Sequence, residues 1–395
     1  MKKIMVLGAG IYQVPLINKI KKMGHQALVV SPIGKFPGIS IADVFIEADT
    51  RESEKILAAA IEYNIDAILT TGTDVAVPSI GYVVDELKLI GTGLLAANQS
   101  MDKALMKQCF HKYKVSSAKY EVVESYEELL TVAKYIGYPL MVKATDSSGS
   151  RGITKVSRKD ELLAAYKSAL DVTKSHQVIV EEFLDGVEIG AQAIVIGDEV
   201  AEVFIHSDEV TSPPISVPIG HAMPLKLEKH LSNDIKDVIK AAVKALGIKN
   251  TVSNVDIIIA NNKPYILEIA ARMGATCLAE NISIYTGVDI YQLIIDLALG
   301  NKVTLPHEYK KQANAAMLLL SKKSGVIKSI SIPDSTKNHI NLVHLSIDVE
   351  VGNKVNKFKV GPDRIGQLIV TAESGEEAIT LAKELVDTIV IEIDG

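Results

Sequence analysis

The run Pro139-Leu-Met-Val-Lys143-Ala-Thr-Asp-Ser147-Ser148-Gly149-Ser150-Arg151-Gly152 sets a lysine in an apolar stretch and follows it with a loop of small residues. A strand-borne ammonium that is buried must find an anion, because an unpaired interior charge is very costly. The loop exposes backbone N–H groups that can hold phosphate oxygens. Ser147, Ser148 and Ser150 add hydroxyl donors, and Arg151 adds positive charge. The G-x-x-x-x-G-K-[ST] phosphate loop is absent, so this is a different kind of cradle. A hairpin turn with a snorkelling lysine is the competing reading.

Further on comes Val178-Ile-Val-Glu181-Glu182-Phe183-Leu184-Asp185-Gly186-Val-Glu188, an apolar strand leading to acids. Alone it reads as a surface edge. With a nucleotide nearby, extended backbone at Glu182 to Leu184 can meet an adenine edge, and Glu188 can accept both ribose hydroxyls. Val252 to Ala260 and Tyr265 to Ile269 then read as two strands joined through Asn261-Asn262-Lys263-Pro264. A connection centred on Asn262 sets Asp256 directly across from Glu268 on one sheet face. Two facing carboxylates repel by roughly 4 kcal/mol at intermediate dielectric. A hard divalent ion such as Mg2+, shared with phosphate oxygens, removes that conflict. Two acids on a solvated face are the alternative, and a loop shifted by one residue places them on opposite faces.

The elements that carry these groups follow from the apolar pattern. Ile4 to Leu7, Ala27 to Val30, Val44 to Ile46 and Ala67 to Thr70 read as short strands, with helical spacing over Val14 to Met23 and Glu52 to Tyr63. That alternation predicts a parallel sheet covered on both faces, in a domain of residues 1–98. Ser125 with Glu128 and Ser157 with Asp160 open two helices. Leu140 to Lys143 and Gln177 to Glu181 are strands. Leu227, Leu231, Ile235, Val238, Ile239, Ala242, Val243 and Leu246 line one face of a long helix that stops at Gly247. Residues 99–300 form the central domain and 301–395 a small α+β domain. In the last segment Leu345, Ile347, Val349 and Val351 alternate with polar residues, and Gly352-Asn353 predicts a hairpin into Lys354 to Val360. Ser374 and Glu377 cap a final helix before a strand over Thr388 to Ile393.

Gly8-Ala9-Gly10 follows the first strand, where a dinucleotide site would place its pyrophosphate turn. Gln13 stands where the fingerprint needs a third small residue, and Ser31-Pro32 where it needs an acid, so NAD is disfavoured. Glycines for a tight turn account for the motif, with Gln13 and Thr71 to Asp74 near the ligand-binding end of the sheet. The chain has 395 residues, 48% hydrophobic and 23% charged, with a formal net charge of −6. This composition argues against disorder, and the mild acidity without basic blocks against nucleic-acid binding. No apolar run reaches membrane-spanning length, no signal peptide is visible, and Cys109 and Cys277 fit neither a zinc nor a redox spacing. A cytoplasmic protein with no membrane association is the expectation.

In order, Lys103, Lys143 with its Ser/Gly loop, Glu181-Glu182-Phe-Leu-x-Gly-x-Glu188, Asp256 and Glu268-x-x-x-Arg272 resemble the ATP-grasp superfamily, in its carboxylate–amine ligase branch. The resemblance covers residues 99–300 and implies two α+β lobes gripping ATP. It implies that Lys103 and Lys143 hold the phosphates and that the loop Ser147 to Gly152, with Ser148, Gly149 and Ser150, closes over them. Glu181 and the backbone of Glu182, Phe183 and Leu184 would take adenine, and Glu188 the ribose. Asp256 and Glu268 would hold Mg2+, or Mn2+ in its place. Arg272, with Lys143 and Arg151, would steady the transferring phosphoryl group. The family usually carries Asn two residues after the second acid, whereas this chain has Ala270, which leaves fewer protein groups for the metal. The implied reaction joins a small carboxylate to an amine through an acyl phosphate, with ATP cleaved to ADP and phosphate, and the family habit suggests a homodimer. A bicarbonate-using carboxylase and a nucleotide-binding protein without turnover are the other readings. Thr211 to Pro224, with His206 and His221 at or near its ends, is a candidate wall for the acceptor pocket, or else a surface loop.

Overall fold

The computed structural model describes residues 1–147, 149, 151–211 and 217–394. Ser148, Ser150 and part of the Thr211 to Pro224 segment therefore lie outside the described residues. The first sheet has β1 (Lys3–Leu7), β2 (Gln26–Ser31), β3 (Val44–Glu47) and β4 (Ala67–Leu69), all parallel, in the order β3-β2-β1-β4. Alternate residues of β1 feed two separate cores, Ile4 and Val6 on one side and Met5 and Leu7 on the other. This is the doubly covered arrangement that the strand–helix alternation predicts.

A second sheet has β5 (Tyr120–Val123), β6 (Leu140–Ala144), β7 (Ile153–Val156) and β8 (Val178–Glu182), in the order β5-β8-β6-β7 with antiparallel pairing. Helices Tyr126–Ile136 and Leu162–Leu170 cover one face, packing Leu129, Ala133, Leu162 and Ala169 onto Val142 and Val180. The Ser125 hydroxyl accepts from the Glu128 N–H at 3.2 Å, as the capping pattern predicts. The second start differs from expectation. Residues Lys159–Glu161 form a 3-10 turn, and Glu161, not Ser157, satisfies the free donors by accepting from the Ser157 N–H at 2.7 Å.

The large sheet is built from β9 (Val187–Ile196), β10 (Glu199–Val210), β11 (Pro218–Met223), β12 (Thr251–Ala260), β13 (Lys263–Ala270) and β14 (Asn314–Leu319). It continues through β16 (Leu342–Ile347) and β18 (Gly366–Thr371), giving the order β13-β12-β9-β10-β11-β14-β18-β16. Helix Lys229–Leu246 lies on one face, with Leu231, Ile235 and Ile239 against Ile189, Ala191, Val255 and Ile257. It starts after Leu227 and ends at Gly247 with φ 71°. Because strand side chains alternate, Gly190, Gln192, Asn254 and Asp256 point to the opposite face.

The β12–β13 turn is the two-residue Asn261-Asn262, both at positive φ, so Ala260 pairs with Lys263. That loop is one residue tighter than expected and would by itself push the acids apart. A bulge at Leu267 restores them, and Asp256 pairs with Glu268. The hairpin expected at Gly352-Asn353 does not form. β16 ends at Ile347 and pairs with β18, while β17 (Lys354–Val355) pairs with β15 (Gly325–Ser331), which in turn pairs with β19 (Val390–Asp394). Alternation in one strand identifies a buried face but not the partner.

Candidate active site

Helix Lys103–Tyr113 delivers two lysines one turn apart. The Lys103 ammonium, with 6% of its side chain exposed, donates to the Ser147 carbonyl at 2.7 Å and lies 3.3 Å from Glu268. It thus ties the loop after β6 to the acid on β13, across the cleft between the sheets. Lys143 sits on β6 and finds its anion in Glu181, at 3.0 Å. Lys107, which sequence reasoning did not single out, contacts the same Oε2 of Glu181 at 3.2 Å. Burial alone would push the Glu181 carboxyl up, but the two ammonium groups prevail and hold it below its ordinary value.

Buried oxygens here without a hydrogen-bond partner within the described protein include Glu181 Oε1, Asp146 Oδ1 and Ser147 Oγ. Orphaned donors and acceptors around one cleft fit a polar ligand such as ATP, since leaving them unsatisfied is costly. Gly149 and Gly152 both have φ +67°, which a side chain rarely adopts, so the loop depends on glycine at these positions. Arg151 is exposed on this loop, and Glu188 is exposed near the start of β9. At Glu182 and Phe183 the backbone N–H groups are already used, on the Lys119 and Pro139 carbonyls at 2.9 and 3.3 Å. The Phe183 ring carries the Lys155 ammonium 3.6 Å from its centre. Leu184 lies two residues beyond the end of β8.

Asp256 and Glu268 face each other on the cleft floor. Asp256 is surrounded by protein yet still reached by water; the loss of solvation, then the Glu268 and Asp208 carboxylates, push it up to about 7. Two close carboxylates that resist joint ionisation form a donor set suited to a hard divalent cation. Asn254, also not singled out from sequence, sits directly across from Ala270 and donates to Asp256 Oδ1 at 3.0 Å. Its own oxygen accepts from Gln192 at 2.6 Å, and Gln192 accepts from the Gly274 N–H at 3.0 Å. The two-residue spacing of Asn254 and Asp256 on one strand was the available signal. Ala270 itself is buried.

Arg272 leaves β13 toward the first domain and binds Asp74, with Nε at 2.7 Å. Beside it Thr71 bridges to Met273, and the Gly72 N–H donates to the Met273 carbonyl at 3.0 Å. Gln13 is buried and donates to the Thr71 carbonyl. The carboxyl end of the parallel sheet thus closes onto the arginine end of the cleft.

Known proteins share this geometry. Residues 101–306 match the family described as carbamoyl-phosphate synthase L chain, ATP binding domain, and residues 317–394 match L-amino acid ligase C-terminal domain 2. The chain belongs to the carbamoyl-phosphate synthase L chain ATP-binding family. Its fold is ATP-grasp. The alanine–anticapsin ligase of Bacillus subtilis (strain 168) is 28% identical over 278 residues, 64% of this chain. The chain spans 58% of the length of that curated relative. Among solved structures, phosphoribosylglycinamide synthetase from Anaerococcus prevotii superposes with TM-score 0.84 at 30% identity, covering 100% of both chains. The L-amino acid ligase from Bacillus licheniformis gives TM-score 0.86 at 18% identity, covering 100% of this chain and 99% of that one. In ATP-grasp terms, the sheets β5–β8 and β9–β13 are the two jaws. No helix among the described residues is long and apolar enough to cross a membrane.

Proposed function

We propose that this ATP-grasp protein is a carboxylate–amine ligase that activates a small carboxylate with ATP and Mg2+. The observation that carries it is Lys103, which contacts the phosphate-type loop on one jaw and the Glu268 carboxylate on the other. Likeness to an alanine–anticapsin ligase suggests an amino acid such as alanine as one of the two substrates. The expected homodimer and the division at 98/99 and 300/301 belong to this proposal.

A carboxylate is a poor electrophile, and transfer of the γ-phosphoryl group makes an acyl phosphate with a good leaving group. Lys103 and Lys143 hold phosphate oxygens, and the loop Ser147 to Gly152 shields the acyl phosphate from water. Glu181 presents its unpartnered oxygen to the adenine amine, and Glu188 takes the ribose. Arg272, released from Asp74, neutralises charge on the transferring group, with Arg151 at the loop. Asp256 and Glu268, braced by Asn254, would hold Mg2+, which when bound offsets the charge of the phosphate oxygens.

The test is incubation with ATP, Mg2+ and a panel of amino acids, reading phosphate and amide product. Amino-acid-dependent release of both supports the ligase. Release with bicarbonate alone points to a carboxylating enzyme, and binding without release to a non-catalytic nucleotide binder.

A further inference from the structure

On the cleft face of the large sheet, Asp256 on β12 pairs with Gly190 on β9, and Gly190 pairs with His206 on β10. Gly190 has no side chain, and the His206 ring fills that gap. A Cβ at Gly190 would lie 2.1 Å from His206 Cε1. His206 therefore occupies the next place in the row that begins with Glu268 and Asp256. Two residues along, Asp208 pairs across to His221 on β11.

His206 Nδ1 and His221 Nδ1 lie 2.8 and 2.6 Å from the same Oδ1 of Asp208, with the rings nearly perpendicular and 5.0 Å apart. Both histidines are buried, 1% and 3% exposed. Contacts as short as 2.6 Å between ligating atoms leave no room for a metal ion among them, but they suit two N–H donors on one carboxylate. The polarity of the His206 ring is fixed from the other side as well. The Gly274 N–H donates to Gln192 Oε1, which turns the Gln192 amide nitrogen toward Asn254 and toward His206 Nε2 at 3.3 Å. Nδ1 then carries the proton and Nε2 the lone pair. The 3.3 Å contact is long, so a stronger donor can replace it.

We propose that His206, oriented by Asp208 and flanked by His221, is the base that takes a proton from the amine attacking the acyl phosphate. This rests on the ligase reading. An amine reaches the site as an ammonium ion and has no lone pair to attack with. It gives one proton to His206 Nε2. Its lone pair forms the C–N bond as the C–O bond to phosphate breaks. The second proton leaves with the phosphate as HPO4 2−, and the imidazolium passes its proton to solvent. Asp208 stabilises that imidazolium, as a buried carboxylate does for any base it orients. Burial pushes the Asp208 carboxyl up, but the two histidines on it, each donating Nδ1–H, hold it well below the usual carboxylate range, so it is available as an anion. The groups facing the pair are Gly190 and Gln192 from β9, Asn254 and Asp256 from β12, and Ala316 from β14 opposite His221. Asn281 from helix Leu278–Thr286 donates to the His221 carbonyl at 3.2 Å.

Hydroxylamine is mostly unprotonated at neutral pH and captures an acyl phosphate without a base. Wild-type protein and His206→Gln are incubated with ATP, Mg2+ and a mixture of the common amino acids, with and without hydroxylamine. ADP, dipeptide and hydroxamate are read by mass spectrometry. The expected result for His206→Gln is dipeptide formation lowered about 10²-fold or more, with hydroxamate and its ADP unchanged. Dipeptide formation should recover as the pH rises toward the amine's own pKa. Retained hydroxamate also shows that the variant is folded. Equal loss of dipeptide and hydroxamate, or no loss of either, overturns the assignment. His221→Gln, which leaves His206 on Asp208, should lose less than His206→Gln; the reverse order would also overturn it. Wild-type protein that makes no ADP with any addition removes the ligase reading itself, a different outcome from a variant that fails.

Discussion

At the scale of single residues, charge is placed where only a ligand completes it. Lys107 and Lys143 share one oxygen of Glu181 and leave the other buried and unpartnered. Asp256 shows the same incompleteness through its titration. Its folded-state pKa, about 7, lies above its ordinary value of 3.8. The folded protein therefore binds the extra proton, and without metal its stability falls as pH rises from 3.8 to about 7. Mg2+ competes with that proton, so it should remove the slope and bind more tightly as pH rises through 7. Urea unfolding across this range, with and without MgCl2, checks both signs; Asp256→Asn should lose the slope and the metal effect together. Because water reaches Asp256, the slope should be shallower than for a fully enclosed acid. Lys143's need for an anion was readable from sequence, because a lysine among Leu140, Met141 and Val142 cannot stay unpaired in a buried strand. Which anion it finds was not, since Glu181 comes from a different strand and only the β6–β8 register brings the two together.

At the scale of elements, register decides the chemistry. The Asn261-Asn262 turn sets one register, and the bulge at Leu267 offsets it by one residue so that both acids share a face. The hairpin and the acid pair were legible in the sequence but the bulge was not, because Leu267 has no property that distinguishes it from a paired strand residue. Asn262 sits at φ 59° in the left-handed region. Asn262→Val should therefore lower stability by about 1–2 kcal/mol, read by urea denaturation, whereas Asn262→Gly should be tolerated. Equal stability of the Val variant would contradict the turn assignment. The C-terminal segment departs from its expected hairpin for the complementary reason. The expected strand over Leu345 to Val351 stops at Ile347 and leaves Val351 exposed, and a parity pattern carries no information on its neighbour, which is β18 rather than the next stretch of chain.

At the scale of the whole molecule, the large sheet runs without interruption from the acid-bearing β13 to β16 near the C-terminal end of the chain. The jaws meet through Lys103, and the first domain closes the far end through Asp74 and Arg272. The order of motifs makes this layout legible, since Lys143, its small-residue loop and the two acids follow one another as they do in the family that the sequence resembles. The His206–Asp208–His221 cluster is harder to see, because its parts are scattered over two strands and its neighbour Gly190 acts by lacking a side chain. The central claim is that cations of one jaw and acids of the other converge on a single triphosphate with magnesium between them. Calorimetric binding of a non-hydrolysable ATP analogue, with and without Mg2+, to wild type, Lys143→Ala and Glu268→Ala tests it most directly. The account predicts that Mg2+ tightens binding to wild type, that Lys143→Ala weakens it under both conditions, and that Glu268→Ala abolishes only the Mg2+ increment. Unchanged affinity in Lys143→Ala, or a full Mg2+ increment in Glu268→Ala, would contradict it.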